Sequence, residues 1–165
     1  RLHVCHVSLA SEVELIRNTK HENRIPLTAG VTPHHLFLKS GATMKPPLNT
    51  DEDKLALMAG IHDGTIDLIE SDHAPHTAEE RAQGAFGIPG LETTLGLAIT
   101  HKLDVKKLLY DNPKKIFNIP THPDDHIEVD MEEEYTVAGP YETKANWSPF
   151  EGWKLYGKIT ARHFH

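Results

Sequence analysis

The stretch Glu70-Ser71-Asp72-His73-Ala74-Pro75-His76 carries one aspartate carboxylate and two imidazoles directly after a short apolar run, Ile66 to Ile69. A strand that leads polar side chains into a proline-containing loop is typical of the catalytic rim of an α/β barrel. Imidazole and carboxylate groups are also the usual protein ligands of Zn²⁺. A plain surface turn is the alternative, because Asp-His pairs occur in turns as well.

Two other segments also end on polar side chains that could join Asp72 in one site. His6 lies near the end of an extended run from Leu2 to Ser8, and the turn Thr32-Pro33-His34-His35 closes a second run from Ile25 to Thr32. The carboxyl ends of parallel strands open on one face, so residues far apart in the chain can meet there. A bound zinc ion lowers the pKa of its water to about 7. A carboxylate beside that water can then act as a general base.

Helices separate these extended runs. Ser11 to Glu14 reads as a capping box that begins a helix to about Asn23, and Thr50 to Asp53 begins another that ends at Gly64. Apolar residues recur at helical spacing in the second helix: Leu55, Met58 and Ile61. The third strand runs from Ile66 to Ser71. Strand, helix, strand, helix, strand is the order of parallel βα units, so the fold class is α/β.

The rest of the chain changes character near residue 124. Gly87 to Gly90 forms a turn, and the following helix to about Lys102 has Leu91, Leu95 and Ala98 on one face. Asp104 and Asn112-Pro113 cap two short helices, the first with Val105, Leu108 and Leu109 as its buried stripe. From Ile127 the apolar period is two, as in Ile127, Val129 and Met131 and again in Trp153, Leu155, Gly157 and Ile159. We therefore predict βα units over residues 1–123 and part of a small β domain over residues 124–165.

Composition limits the possible functions. The chain has 165 residues, whereas a complete barrel of eight strand-helix units needs about 250. Its net charge of −7 argues against nucleic-acid and anionic-membrane partners. The single cysteine, Cys5, excludes an internal disulfide and favours the cytoplasm, and no apolar run approaches the ~20 residues that span a bilayer. The strand-like opening without Met predicts a piece of something longer.

Five motifs follow one another in the first 92 residues: His3-Val4-Cys5-His6-Val7-Ser8, Val31-Thr32-Pro33-His34-His35-Leu36, Met44-Lys45-Pro46-Pro47-Leu48, Ser71-Asp72-His73-Ala74-Pro75-His76 and Pro89-Gly90-Leu91-Glu92. Their identity and order resemble those of dihydroorotase, a member of the amidohydrolase superfamily. The segment from Asn146 to Gly152 also resembles the C-terminal region of that family.

The resemblance implies a metal-dependent (β/α)8 barrel of which this chain holds about three βα units, the sixth to eighth, followed by strands of a small β domain. It implies zinc, with two ions in the full-length enzyme. His6 and Asp72 would be metal ligands, and Asp72 would also be the general base. His76 would grip the substrate carboxylate. A packed histidine is the alternative for His6.

Further substrate contacts follow from the same resemblance. Lys45 lies where relatives place an Asn or Arg that contacts the substrate, with a solvated lysine as the alternative. The backbone of Ile88, Pro89 and Gly90 would bind the pyrimidine ring through the close approach that a glycine turn permits. Four residues receive structural interpretations instead: His34 and His35 in the second turn, His3 in the core, and Cys5 as a small packed side chain.

The implied reaction is the reversible hydrolysis of the cyclic amide of dihydroorotate to N-carbamoyl-aspartate in pyrimidine biosynthesis. The family's remaining metal ligands would lie upstream of residue 1, so we expect this piece alone to be inactive and to bind metal weakly. Open strand edges predict self-association, and association with aspartate transcarbamoylase is a further expectation. Two alternatives remain: another cyclic amidohydrolase of the hydantoinase or allantoinase type, and a non-catalytic dihydroorotase-like scaffold.

Overall fold

A computed structural model describes residues 1–39 and 44–165 as an α/β fold with two small sheets. The strands are β1 (Leu2–Val4), β2 (Leu27–Val31), β3 (Leu68–Ile69), β4 (His126–Thr136) and β5 (Lys154–His163). The helices are α1 (Ala10–Glu22), α2 (Pro33–Phe37), α3 (Asp51–Asp63), α4 (Ala78–Ala82), α5 (Leu91–Thr100) and α6 (Asn112–Phe117), with a π-helical segment at Lys107–Asp111. None of the helices in the described ranges is both long and apolar enough to cross a bilayer.

The first sheet has the order β1-β2-β3 and is parallel throughout. Leu2 pairs with Leu27, and Gly30 pairs with Leu68. Helices α1 and α3 provide the crossovers between these strands, which confirms the predicted alternation of strands and helices. The second sheet contains only β4 and β5, paired antiparallel with His126 opposite His163.

Helix α1 begins earlier than the predicted capping box. The Glu12 carboxylate accepts hydrogen bonds from the backbone N–H groups of Ser8, at 2.8 Å, and Leu9, at 3.0 Å. Glu12 therefore covers the amides that precede the first turn, and Ser11 lies inside that turn. The predicted box at Ser11 to Glu14 is wrong, because the glutamate that reaches back is the one three residues after Leu9.

Helix α3 has the predicted ends but a different buried face. Thr50 and Asp53 exchange hydrogen bonds in a capping box, and Gly64 closes the helix at a φ of 82°. Leu57 is fully buried, whereas Leu55 is 72% exposed, so the predicted apolar stripe is wrong at Leu55. Leu57 and Ile61, four residues apart, form the buried face instead.

The C-terminal helices also depart in detail from the prediction. The Asp104 carboxylate accepts a hydrogen bond from the Lys107 N–H at 3.0 Å, as expected of a cap. Asn112 does not cap a separate helix, because α6 continues directly from the π-helical segment. Its side-chain amide instead donates to the Asp67 carbonyl at 2.5 Å and ties this region to the segment before β3.

Helix α5 lies between two apolar clusters. Ala98 belongs to a cluster under the parallel sheet, which also contains Leu57 and Ile66. Leu97 belongs to the second cluster, with Phe150 and Leu155. Leu91, at 61% exposed, belongs to neither cluster and does not lie on the predicted stripe.

The second cluster joins the two predicted parts of the chain. It combines Ile88 and Leu97 with Val137, Phe150 and Leu155. The β5 backbone is also tied to α5, because the Tyr156 N–H donates to the Thr100 hydroxyl at 2.8 Å. The β hairpin is therefore packed onto the helix that follows the candidate site, and the division at residue 124 stays a prediction.

Candidate active site

The carboxyl ends of the three parallel strands bring the predicted site residues to one edge of the sheet. His6 lies two residues after β1, Thr32 directly follows β2, and Asp72 lies three residues after β3. All three strands run in the same direction, so these positions share that edge.

His34 is the residue around which this edge is organised. It is 1% exposed, and its buried Nε2 atom has no hydrogen-bond partner among residues 1–39 and 44–165; this atom lies 3.9 Å from the Asp72 Oδ2 atom. Burial, followed by the neighbouring His35 and His6, lowers the pKa of His34 to about 3. His6, after β1, and Asp72, after β3, are thus both neighbours of this edge. The His34 ring is neutral at physiological pH.

His35 holds this turn in place. Its ring nitrogens contact the Thr32 hydroxyl at 2.7 Å and the Pro46 carbonyl at 3.2 Å. The Thr32 hydroxyl also accepts a hydrogen bond from the His35 N–H and so caps α2. The structural interpretation fits His35, whose ring nitrogens are both hydrogen-bonded, whereas the His34 Nε2 atom has no partner within the part of the chain that the structure describes.

His6 and Asp72 both adopt left-handed backbone conformations. Their φ values are 40° and 43°, a region that non-glycine residues enter rarely and at a cost in free energy. Such conformations cluster at functional sites, where the surrounding structure holds them. For His6, part of that support comes from Glu70, whose carboxylate accepts a hydrogen bond from the His6 N–H.

Glu70 is a site residue that the sequence reasoning missed. Glu70 and Asp72 are two residues apart, and alternate residues of a strand share a face. That spacing could have indicated Glu70 from the sequence. Gly30 makes room for it, because a Cβ atom at Gly30 would lie 2.8 Å from the Glu70 carboxylate. The small residue on β2 and the acid after β3 therefore fit each other.

Glu70 also faces His3 and Cys5. The ligating atoms of these three side chains all lie within 4.8 Å of one another. His3 and Cys5 share one side of the chain, as strand alternation predicts, and the His3 ring packs edge-on against Phe117 at 5.1 Å. Cys5 is exposed, so the prediction of a packed side chain is wrong; β1 ends at Val4 and releases it. The thiol is still partly desolvated. This desolvation, together with the charges of Glu70 and Asp72, raises the pKa of the Cys5 thiol, which makes it a poor nucleophile.

The loop after Asp72 is fixed by the second half of the chain. The Trp147 indole N–H donates to the His76 carbonyl at 2.7 Å. The His76 Nδ1 atom lies 3.4 Å from the Glu80 Oε2 atom, one turn further along the chain. Glu80 also exchanges hydrogen bonds with Thr77 at the start of α4. His76 is therefore a partly exposed imidazole with a carboxylate neighbour.

The segment Ile88 to Gly90 pairs with this loop. The Ala74 N–H donates to the Ile88 carbonyl at 3.0 Å, and the Gly90 N–H donates to the His73 Nδ1 atom at 3.1 Å. A Cβ atom at Gly90 would lie 2.6 Å from the Ser71 carbonyl oxygen, so the close approach requires glycine. Several backbone groups of this segment are thus engaged within the chain, and His73 serves to anchor it.

Lys45 lies over the ring of Phe86, with its Nζ atom 4.3 Å from the ring centroid. The side chain is exposed. A cation over an aromatic face at this distance is attracted by the ring quadrupole, which holds the ammonium group near the turn at Gly87. Its described contact is therefore with the loop that leads into Ile88 to Gly90.

The donor chemistry of the sheet edge fits a zinc ion. His6 and Asp72 offer an imidazole and a carboxylate, and the unpartnered His34 Nε2 atom faces Asp72. In the described ranges, three groups of three ligating side chains lie within 4.8 Å, and none of them contains His6 or Asp72. The edge alone thus supplies part of a ligand set.

His34 makes the stability of the chain depend on pH. The folded chain holds its pKa at about 3, whereas the unfolded chain protonates it near the ordinary value of 6.5. This stabilisation is complete above pH ~6.5 and is lost as the pH falls towards ~3. We expect the free energy of unfolding to fall less over this range in His34→Gln than in the wild type, measured by urea denaturation. His62→Gln, at an exposed position, is the control and should follow the wild type; parallel curves for His34→Gln would contradict the prediction.

Comparisons with known proteins find similar sequences, although no protein-family model matches the chain. Multifunctional protein pyr1-3 of Dictyostelium discoideum is 41% identical over 177 aligned residues, covering 96% of this chain and 8% of that protein. The dihydroorotase of Pyrococcus furiosus is 39% identical over 178 aligned residues, covering 95% of this chain and 42% of the enzyme. The chain thus spans less than half the length of these relatives.

Solved structures with a similar fold cover nearly the whole chain. The L-hydantoinase of Arthrobacter aurescens superposes with a TM-score of 0.84 at 25% identity, over 96% of this chain and 42% of that one. The inactive dihydroorotase-like domain of the Chaetomium thermophilum CAD-like multifunctional protein superposes with a TM-score of 0.74 at 28% identity, over 96% and 48%. The likeness includes both the parallel strands and the β hairpin, because it covers nearly the whole chain.

Proposed function

Since the chain belongs to the dihydroorotase family and matches the C-terminal portion of its members, we propose that the protein carrying it is a metal-dependent dihydroorotase. Its reaction is the reversible hydrolysis of dihydroorotate to N-carbamoyl-aspartate. The observation that carries the proposal is the buried His34 imidazole, whose Nε2 atom lies 3.9 Å from the Asp72 Oδ2 atom at the sheet edge where His6 also follows a strand. We also propose that β1, β2 and β3 are the sixth, seventh and eighth strands of a (β/α)8 barrel. The proposed location of the protein is the cytoplasm.

Asp72 is the proposed general base. A carboxylate at the end of β3 can take a proton from the attacking water and pass it to the leaving ring nitrogen as the amide bond breaks. In the ring-closing direction the same group starts protonated. The His34 ring beside it is neutral, because burial lowers the pKa of His34 to about 3.

His6 and Asp72 are the proposed metal ligands from this chain, with zinc as the metal and two ions in the complete site. The bound metal would polarise the scissile carbonyl and lower the pKa of its water. A zinc site usually takes three or more protein ligands, so the remainder would come from outside these 165 residues. The isolated chain is accordingly proposed to bind metal weakly and to lack activity.

Dihydroorotate is an anion, and the proposed substrate contacts suit it. His76 and Lys45 supply positive or hydrogen-bonding groups on two loops, and the Ile88 to Gly90 backbone lines the same region. The His73 anchor and the packing of Gly90 against Ser71 hold that backbone next to the loop that follows Asp72. Rigid placement of such groups is what orients a small ring against a base.

His76 offers a direct test of substrate choice. We expect His76→Ala, in the complete enzyme, to lower kcat/KM for dihydroorotate by about 10- to 100-fold, since a hydrogen bond to a charged group contributes roughly 1.5–3 kcal/mol. Hydantoin has no carboxylate, so any turnover of hydantoin should change little. His62→Ala, at an exposed site on α3, is the matched control. Equal losses for both substrates would assign His76 a structural role.

Two alternatives are tested by one experiment. A hydantoinase-type activity is favoured by the superposition on L-hydantoinase, and a non-catalytic scaffold by the superposition on the inactive dihydroorotase-like domain. The complete protein, loaded with zinc, should be assayed on dihydroorotate and on hydantoin. Faster turnover of dihydroorotate supports the proposal, faster turnover of hydantoin supports the first alternative, and no turnover with full metal content supports the second. The presence of His6, Asp72 and His76 together favours an active enzyme.

We further propose association with other enzyme activities of the same pathway, such as aspartate transcarbamoylase, because the relatives include multifunctional proteins. Self-association of the isolated chain across the open edges of the parallel sheet is the corresponding proposal for this piece alone. Sedimentation of the isolated chain as a monodisperse monomer would contradict it.

A further inference from the structure

The exposed end of the β4–β5 hairpin carries a second group of potential metal ligands, to which the proposed reaction assigns nothing. His126 pairs directly with His163 across the two strands, and their rings stack with centroids 4.3 Å apart. Glu128, two residues along β4, places its Oε1 atom 3.1 Å from the His163 Nε2 atom. The ligating atoms of all three side chains lie within 4.8 Å of one another. We propose that His126, Glu128 and His163 form a binding site for a divalent transition metal such as Zn²⁺.

The strand geometry positions these groups before any ion binds. His126 and Glu128 are two residues apart on β4 and therefore project from the same face of the hairpin. The cross-strand partner His163 joins them on that face. The hairpin is itself packed onto α5, through Leu155 and the hydrogen bond from Tyr156 to Thr100. Little ordering of the backbone is needed to bring the ligands together.

The hydrogen bond of His126 sets its ring for metal binding. Its Nδ1 atom lies 2.7 Å from the Asp124 carbonyl oxygen, and a carbonyl can only accept. The proton must therefore be on Nδ1, which leaves the Nε2 lone pair free. Metal-binding histidines characteristically donate their other ring N–H to a carbonyl or carboxylate in this way. Two imidazoles and one carboxylate are three of the four ligands of a zinc site with one position open to water.

A neighbouring group serves as an internal comparison. His122, Asp125 and His165 also bring their ligating atoms within 4.8 Å of one another. The His122 Nδ1 atom, however, accepts a hydrogen bond from the Asp124 N–H at 3.3 Å, and the Asp125 carboxylate already accepts one from the His165 N–H at 3.0 Å. Because the His122 Nδ1 atom accepts, the proton of the neutral ring is on Nε2, and neither nitrogen keeps a free lone pair, whereas the His126 Nε2 atom does. The structure therefore favours the His126 group over this one.

The test is Zn²⁺ binding to the complete protein after its catalytic metal has been loaded. Isothermal titration with Zn²⁺ alone should show one additional ion, and His163→Gln and His126→Gln should each weaken its binding by at least about tenfold, the smallest loss typical even of groups that only support a ligand. The double variant His122→Gln, His165→Gln is the matched control and should bind as the wild type does. Circular dichroism checks that the exposed substitutions leave the fold intact.

The outcomes separate the site from its competitors. Loss of binding in the control variant, with none in His163→Gln, would move the ion to the His122 group and overturn the proposal. Absence of any additional ion would overturn it as well. Glu128→Gln keeps the side-chain shape and removes the charge, so weaker binding there supports direct ligation. The result is independent of the proposed reaction, because dihydroorotate turnover is not part of the readout.

Discussion

Asp72→Asn is expected to abolish turnover of dihydroorotate in the complete enzyme while leaving the fold intact. Asparagine keeps the size of the side chain but cannot accept a proton, and general acid-base catalysis contributes about 10²- to 10⁴-fold. The amide is also a poorer metal ligand than a carboxylate, so the loss should lie at the upper end of this range or beyond it. The measurement is kcat on dihydroorotate, with zinc content determined on the same samples.

Glu79→Gln is the matched control, since Glu79 is an exposed acid on α4 and the substitution removes the same charge. It should leave kcat unchanged. Retained activity in Asp72→Asn would refute the assignment of the base. Full zinc content together with lost activity would assign the loss to proton transfer, whereas loss of both would show that Asp72 is needed mainly to hold the metal.

The sequence predicts the strands and the longer helices in the right order, because apolar periodicity and helix caps are local signals. It misses the short helices α2 and α4. The parallel strands, α3 with Thr50 and Gly64 at its ends, and the change to a period of two after residue 124 all depend on residues close together in the chain. Such signals do not say how far a strand extends. The predicted first and third strands, Leu2 to Ser8 and Ile66 to Ser71, are longer than β1 and β3.

The candidate site accounts for part of this shortening, at the end of the first strand. His6 and Asp72 take positive φ values, and such a conformation cannot continue a strand. An alternating pattern of side chains carries no information about that change of backbone conformation. His6, which lies inside the predicted first strand, is therefore a proposed site residue at which local prediction fails, as expected where function is placed on strained backbone.

The second kind of wrong prediction concerns which face of a helix is buried, and its cause is tertiary packing. Leu55 and Leu57 are equally apolar, yet only Leu57 meets the core under the parallel sheet. In α5, apolar residues face two clusters, so no single stripe describes the helix. Which apolar residue is buried depends on elements that arrive from elsewhere in the chain, and spacing alone cannot settle it.

The candidate site also contains both residues that the local sequence identifies and residues that depend on contacts between distant segments. His6, Asp72 and His76 were found from motif and strand position. Glu70 was missed because its contacts, to the His6 N–H and to the space left by Gly30, join strands that are distant in sequence. The unpartnered nitrogen of His34 is likewise visible only once burial is known.

Removal of the His6 imidazole is the second change with a large expected effect. In His6→Ala the complete enzyme should lose at least about 10- to 100-fold in zinc affinity, because a direct ligand matters no less than the groups that support ligands, for which such losses are typical. Activity should fall with the metal content, and excess zinc should restore part of it. The measurement is zinc affinity by competition with a chelator, paired with kcat at saturating zinc.

Glu70→Gln is a useful second variant. The Glu70 carboxylate accepts a hydrogen bond from the His6 backbone N–H and also lies beside the His3 ring. If Glu70 holds the left-handed conformation of His6, the Gln variant should weaken zinc binding less than His6→Ala does, since an amide oxygen can still accept the N–H hydrogen bond. His3→Gln leaves that hydrogen bond in place and should have the smallest effect of the three. Unchanged zinc affinity in His6→Ala would contradict ligation by His6, and Asp72 would then have to bind the metal without the histidine that follows β1.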